Sequence, residues 1–255
     1  MSGEGGGECA ALLHGASANL IGVAQHRGAR AAELGGSLSN RLARRFDWNA
    51  TGTMIVKINP AWIPGRWRLG VSLDVHTVTS EFLGYDDDGR PQFNTTRSEI
   101  GELLYRLKYM ADARAVDPIA DTASSYLRQL SEPPFKVAPT LIIPVPPSRQ
   151  RPRQPLFELA RAIGAQLGVP VVTNAILASK TVPELKSVHD YTTRLDLLRD
   201  AYRVDPAKTA GASLLLLDDL FRSGATLNAV ANILVDSGGA RDLCAPTLKR
   251  TRSHR

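Results

Sequence analysis

The chain predicts an α/β fold: a parallel sheet flanked by helices, with a small N-terminal β-containing element ahead of it. Three observations carry this expectation. From Thr140 onward, strand-like and helix-like segments alternate, the signature of parallel strands joined by crossover helices. Leu214 to Leu217 is a run of four leucines, apolar on both faces of a strand as only a buried parallel strand is. Ile100, Leu103, Leu104 and Leu107 recur at three- and four-residue spacing, the apolar stripe of an amphipathic helix.

Residues 1 to about 50 are rich in Gly, Ala, Ser and Arg without a sustained period, so they read as disordered or weakly helical. Met54 to Ile58 reads as a strand, punctuated by Pro60, Pro64 and Gly65. Trp67 to Val78 alternates apolar and polar residues as a half-buried strand does, and Tyr85 to Pro91 is a turn. Residues 51 to 98 are therefore expected to form a small antiparallel β-element, a hood-like subdomain. The stretch from Glu99 to Asp112 is a helix, with Met110 extending its stripe, and Asp117 to Leu130 is a second, stopped by Pro133 and Pro134. Then come a strand at Thr140 to Val145, a helix at Leu156 to Leu167 and a strand at Val169 to Ile176. A short helix at Arg194 to Ala201 leads to a strand at Ser213 to Asp219. A helix at Thr226 to Ser237 and a last strand at Asp242 to Thr247 complete the domain, residues 99 to 255.

At 255 residues the chain can bury a full core. No apolar run approaches the ~18 residues of a membrane span. The first residues carry Glu4 and Glu8 and no basic cluster before an apolar stretch, so they do not read as a secretory signal, and a cytoplasmic location is expected. Cys9 and Cys244 lie at opposite ends of the chain and cannot supply a four-thiolate zinc site. Lys plus Arg exceed Asp plus Glu by 31 to 25, giving net +6. Arg149, Arg151 and Arg153 cluster in one loop; Lys249, Arg250, Arg252 and Arg255 cluster at the C-terminus. Such patches suit a polyanion, single-stranded DNA or a diphosphorylated sugar among them, and a solvated tail reads equally well at the end of the chain.

The informative segment runs from Leu214 to Leu227, LLLLDDLFRSGATL. Asp218 and Asp219 stand at the carboxyl end of a buried strand, where open α/β sheets bind ligands. Gly224 permits a tight loop into the next helix, and the N–H groups of Arg222 to Thr226 can converge on a phosphate at the positive helix end. Ser223 and Thr226 add hydroxyl donors. The acidic pair offers acceptors to a vicinal diol and would repel a phosphate. An Asp that merely caps a helix explains one of these residues, not the adjacent pair followed by a small-residue loop.

This segment resembles the phosphoribosyl-diphosphate (PRPP) motif of type I phosphoribosyltransferases, and the chain from about Glu99 to Arg252 resembles their ComF-like members. The resemblance implies the type I phosphoribosyltransferase fold, with Asp218 and Asp219 holding the ribose hydroxyls. It implies Phe221, Arg222, Ser223, Gly224, Ala225 and Thr226 at the 5′-phosphate, although Arg222 stands where many members have threonine. IIPVPPSRQRPR, Ile142 to Arg153, resembles the family's pyrophosphate loop and nominates Pro147, Ser148, Arg149 and Arg151. Ser179 to Tyr202 resembles the mobile hood, with Lys180, Lys186 and Arg194 as contacts; His189 there reads as polar surface. Glu102 to Tyr109 resembles the family's Lys-Tyr helix, making Lys108 a candidate beside its plain reading as a packing helix with an exposed lysine. The family's N-terminal cysteine zinc element is absent.

The implied activity is transfer of a phosphoribosyl group from PRPP to an unidentified nitrogenous acceptor. Mg²⁺ would be carried by ligand oxygens rather than by protein side chains, and no general base stands out. A glutamine-using amidotransferase is not expected, because Cys9 is internal and no glutaminase domain precedes the motif. A P-loop NTPase is excluded, because GxxxxGK[ST] does not occur. The rival is a non-catalytic PRPP or nucleotide-binding ComF-like protein acting in DNA uptake or regulation and binding single-stranded DNA. Homodimerisation stays open under either reading, and no membrane association is expected.

Overall fold

The computed structural model describes residues 53–148, 152–178, Thr193, Leu198 and 201–252, together with the backbone of Asp47–Trp48, all within the unit Phe46–Arg255. The expectation for residues 1 to 50 falls outside the described residues except at that two-residue strand.

The main sheet has five strands: β3 (Ala61–Trp62), β4 (Leu69–Val75), β7 (Leu141–Pro144), β10 (Ser213–Phe221) and β11 (Asp242–Arg250). They lie in the order β3-β4-β11-β10-β7, and all pairs are parallel except β3 with β4. Short pairs stand outside it: β1 (Asp47–Trp48) with β2 (Met54–Ile55), β5 (Thr77–Tyr85) with β6 (Pro91–Arg97), and β8 (Ile176–Ala178) with β9 (Tyr202–Val204). The α/β class is as the alternating pattern requires.

The leucine run forms the middle of this sheet. Leu214 to Leu217 are each no more than 1% exposed, with β7 on one side and β11 on the other. Each such side chain contributes roughly 1.5–3 kcal/mol by leaving water. Alternate residues face opposite ways. Leu214 and Leu216 join Leu243 and Ala245 against Leu227, Val230, Ala231 and Leu234 of helix α4 (Ala225–Asp236). Helices α1 (Glu99–Tyr109), α2 (Val116–Ser131) and α3 (Pro155–Leu167) pack together, with α1 against β11 and β4, and α3 against β7 and β10.

Helix α1 buries the expected stripe of Ile100, Leu103, Leu104 and Leu107, while Met110 is 65% exposed and lies past the helix end. Its start is pinned to the end of β4. The Ser98 hydroxyl accepts from Gly101 N–H at 3.2 Å and donates to the Val75 carbonyl at 2.6 Å. A β-carbon on Gly101 would come within 2.9 Å of the His76 carbonyl, so only glycine allows this approach.

The structure departs from the sequence reading in three places. Leu69–Val75 is not part of a separate antiparallel element but a parallel strand of the main sheet, paired with β11. Its polar residues misled because Ser72 and Asp74 are themselves buried. Only β5 and β6 form the expected antiparallel hairpin around the Tyr85 to Pro91 turn. Val169 to Ile176 is not a strand: Val171 makes a single parallel bridge to Ile142, and β8 begins only at Ile176. Finally, β11 runs on to Arg250, so Lys249 and Arg250 are strand residues and not a solvated tail. The expected helix at Arg194 to Ala201 lies mostly outside the described residues, where Leu198 is helical and buried.

Candidate functional site

Parallel packing puts the carboxyl ends of β4, β11, β10 and β7 along one edge of the sheet, and the acidic pair stands there on the central strand. Asp218 and Asp219 are both half-buried, and both feel the Lys108 charge. Asp219 forms an ion pair with Lys108, which α1 delivers at its last turn. Burial pushes the Asp218 carboxyl up to about 7, against the opposing pull of Lys108 and of the Leu220 N–H. The Asp218 charge in turn adds to burial in holding the Tyr202 phenol near 12.

Behind the pair the chain turns sharply. Gly224 adopts φ 78°, and a β-carbon there would lie 2.7 Å from the Phe221 ring, so glycine is required both by the turn and by the ring beneath it. Among the described residues none accepts a hydrogen bond from the N–H groups of Arg222, Ser223, Gly224 or Thr226. The Ser223 hydroxyl reaches Ala225 N–H at 3.5 Å, and Asn228 closes the loop by donating to the Gly224 carbonyl at 3.0 Å. Unpaired N–H groups at a helix N-terminus form an anion cradle. Phe221, the first of the expected phosphate set, ends β10; its carbonyl accepts from Thr251 N–H at 3.0 Å and its ring packs on the core, and the turn into α4 follows from Arg222 to Thr226.

The loop after β7 lies beside this edge. Val145 N–H donates to the Leu217 carbonyl at 2.9 Å, which starts the Pro147–Ser148 loop alongside β10. Arg149 and Arg151 lie outside the described residues, as do Lys180, Lys186, Arg194 and His189. Arg153 is committed elsewhere, forming a two-point ion pair with Glu158 at 2.6 and 2.9 Å. It borders a cleft of about 240 Å³ between the ends of α1 and α3, lined also by Leu107, Lys108, Ala111, Pro152 and Pro155. Lys108 thus joins the acidic pair to this cleft.

Sequence reading missed a group of basic side chains on the same edge. Lys249, in register with Leu220, is 5% exposed, and burial with the neighbouring Arg97 charge pushes its ammonium down to about 8. His76 follows β4, and burial, then Lys249, Arg97 and Lys108, push it down to about 4. Leu248, an apolar residue beyond the expected strand end at Thr247, was the one available signal that Lys249 belongs to a strand. Cys244 is buried, and burial holds its thiol near 12, so it is no nucleophile. Among the described residues no group of three or more His, Cys, Asp or Glu side chains is placed to hold a metal, and no helix is long and apolar enough to cross a membrane.

The central parallel strand thus ends in an acidic pair and a glycine turn at the edge of the sheet where α/β folds place ligands. The chain is similar to a competence protein. It is 26% identical over 151 residues to competence protein ComFC of Bacillus subtilis strain 168, a match covering 59% of this chain and 59% of ComFC. No family model matches the chain. Solved structures that overlap it include adenine phosphoribosyltransferase of Saccharomyces cerevisiae, 13% identical over 67% of this chain and 83% of that one, with a TM-score of 0.39. The Trypanosoma brucei adenine phosphoribosyltransferase is 13% identical, covering 76% and 86%, with a TM-score of 0.40. Glutamine PRPP amidotransferase of B. subtilis is 15% identical, covering 63% and 34%, with a TM-score of 0.38.

Proposed function

We propose that this protein binds PRPP at the carboxyl end of β10 and transfers its phosphoribosyl group to a nitrogen acceptor, releasing pyrophosphate. The observation that carries the reading is the junction of two unlike recognition devices within a few residues. Asp218 and Asp219 present acceptors once ionised, while Arg222 to Thr226 bring backbone N–H, hydroxyl and guanidinium donors. A ribose 5-phosphate has the matching pattern, hydroxyl donors at one end and phosphate acceptors at the other.

In this reading the acidic pair holds the 2′ and 3′ hydroxyls, and Lys108 fixes the Asp219 carboxylate in place. The cradle holds the 5′-phosphate, and the Pro147–Ser148 loop faces the pyrophosphate. The C1–O bond to pyrophosphate breaks with its electron pair leaving on oxygen, the acceptor nitrogen forms the C1–N bond, and that nitrogen loses its proton. The side chains contribute position and charge neutralisation and form no covalent intermediate. Mg²⁺ fits as an ion carried by PRPP. Of the two carboxylates present, Asp219 is paired with Lys108 and Asp218 titrates near 7, a donor set too poor for a protein-built cage. When bound, it would neutralise charge on the departing pyrophosphate.

Calorimetric titration of PRPP with and without Mg²⁺, using Asp218→Asn/Asp219→Asn as control, tests the ligand. Mg²⁺-dependent binding that the double variant loses supports the site; a folded wild type that binds no PRPP overturns the reading. The similarity to a competence protein favours a second reading, a PRPP-binding protein without transferase activity that associates with single-stranded DNA. Steeply salt-dependent DNA binding, with PRPP bound and no pyrophosphate released to any acceptor, would favour it.

A further inference from the structure

Two strands on their own rarely hold a stable sheet in water, and β5–β6 is such a pair: among the described residues it joins no third strand. Its two outer edges are not alike. Strand β5 carries both bulges, with Val78 and Leu83 as the extra residues, and has Glu81 at its middle. Bulges and charges are what keep an edge from pairing further. Strand β6 is regular, and Gln92 to Thr96 contains no charge and no proline. The unguarded edge is therefore β6.

Its backbone groups point the right way to pair. The Arg90 carbonyl accepts from Asp86 N–H, so it faces β5. Direction alternates along a strand, so Phe93, three residues on, turns its own N–H and C=O to the outside. Phe93 stands opposite Phe82 with ring centres 5.5 Å apart, Tyr85 lies against Phe82, and all three rings are more than half exposed. Charge is divided between the hairpin's two ends: Asp86, Asp87 and Asp88 lie at the turn, and Arg97 ends β6 at the foot.

A second copy of this chain meets all of these features at once. We propose that β6 pairs antiparallel with β6 of a second copy about a two-fold axis at Phe93, making a four-stranded sheet across the two chains. In that register Asn94 faces Gln92, Thr95 faces Pro91, and Arg97 reaches the aspartate turn of the other copy without that turn overrunning the foot. The rings follow one another across one face as Phe82, Phe93, Phe93 and Phe82. A partner of uniform charge would meet either the turn or Arg97 unfavourably, whereas a copy related by a two-fold meets both favourably. Two short strands bury less than a standard interface, so the dimer should be weak, with a dissociation constant of about 1–100 μM. The pairing does not depend on what the site at β10 binds.

Sedimentation of the full chain from about 1 to 300 μM tests the pairing, read together with hydrogen exchange along β6. Wild type should pass from monomer to dimer over that range, and the outward amides of Phe93 and Thr95 should gain protection as it does. Phe93→Lys and Phe93→Glu each set like charges at the axis, and each should weaken the dimer by about tenfold or more. An equal mixture of the two variants should restore it, which neither misfolding nor lost apolar area can do. Leu83→Ser removes an exposed side chain from the bulged strand and should leave the dissociation constant within about threefold. A wild type still monomeric at about 300 μM overturns the proposal, and protection of the Phe93 amide in that monomer would assign the edge to another segment of the same chain. A dimer that survives both Phe93 variants, or that their mixture fails to restore, also overturns it.

Discussion

At the scale of single residues, two displaced titrations make opposite statements. Asp218 titrates near 7, raised by burial, so in the free protein near neutral pH it is divided between acid and carboxylate. Accepting hydrogen bonds from a diol requires the carboxylate, and binding below pH 7 must therefore release a proton. PRPP affinity should fall about tenfold between pH 8 and pH 6, and Asp218→Asn should flatten that profile when both are measured by calorimetry. Lys249 works in the other direction. Its folded pKa of about 8 lies below the ordinary 10.5, so between those values the unfolded chain binds more protons and stability rises with pH. At neutral pH the charged lysine costs the fold on the order of 3 kcal/mol. Lys249→Met should therefore stabilise the protein at pH 7 by about 1–3 kcal/mol in urea unfolding, with the gain shrinking toward pH 10. A Lys249→Met variant less stable than wild type at pH 7 would contradict this.

At the scale of elements, the strand–loop–helix unit from β10 to α4 was legible in the sequence because its parts are contiguous. Four leucines, an acidic pair and a small-residue loop encode burial, ligand acceptors and a turn within fourteen residues. The role of Phe221 was not legible, since only the fold shows its ring filling the space a side chain on Gly224 would need. Gly224→Ala faces both a left-handed backbone angle and that ring. It should lose about 1–2 kcal/mol in thermal or urea unfolding and most of its PRPP affinity, whereas Ser223→Ala, which removes only a long contact, should keep the fold. Helix α1 was legible as an amphipathic stripe, yet that stripe does not say that Lys108 at its far end meets Asp219. That depends on Ser98 and Gly101 fixing where the helix starts against β4.

At the scale of the molecule, stability resides in the sheet and its two helical layers. Among the described residues the β5–β6 hairpin pairs with no other strand, and Phe82, Leu83, Tyr85 and Phe93 on it are each more than half exposed. Phe82 contacts Tyr85 and Phe93 with ring centres 5.3 and 5.5 Å apart, a cluster local to the hairpin. Leu216→Ala should cost about 2–5 kcal/mol in urea unfolding, and Phe82→Ser under about 1 kcal/mol. Comparable losses from the two would mean that the hairpin is docked into the core.

The fold class, the central strand and the acidic pair with its glycine loop were readable in the order of the residues. Each is a short-range pattern of burial, charge and turn chemistry that neighbouring residues can express without reference to the rest of the chain. The folded chain alone puts β4 in the main sheet beside β11 and makes Lys249 a buried strand residue rather than part of a basic tail. It also brings His76, Arg97, Lys108 and Lys249 into one electrostatic neighbourhood. Strand order and register bring together side chains far apart along the chain, and whether a buried lysine or imidazole meets a partner depends on which groups arrive there with it.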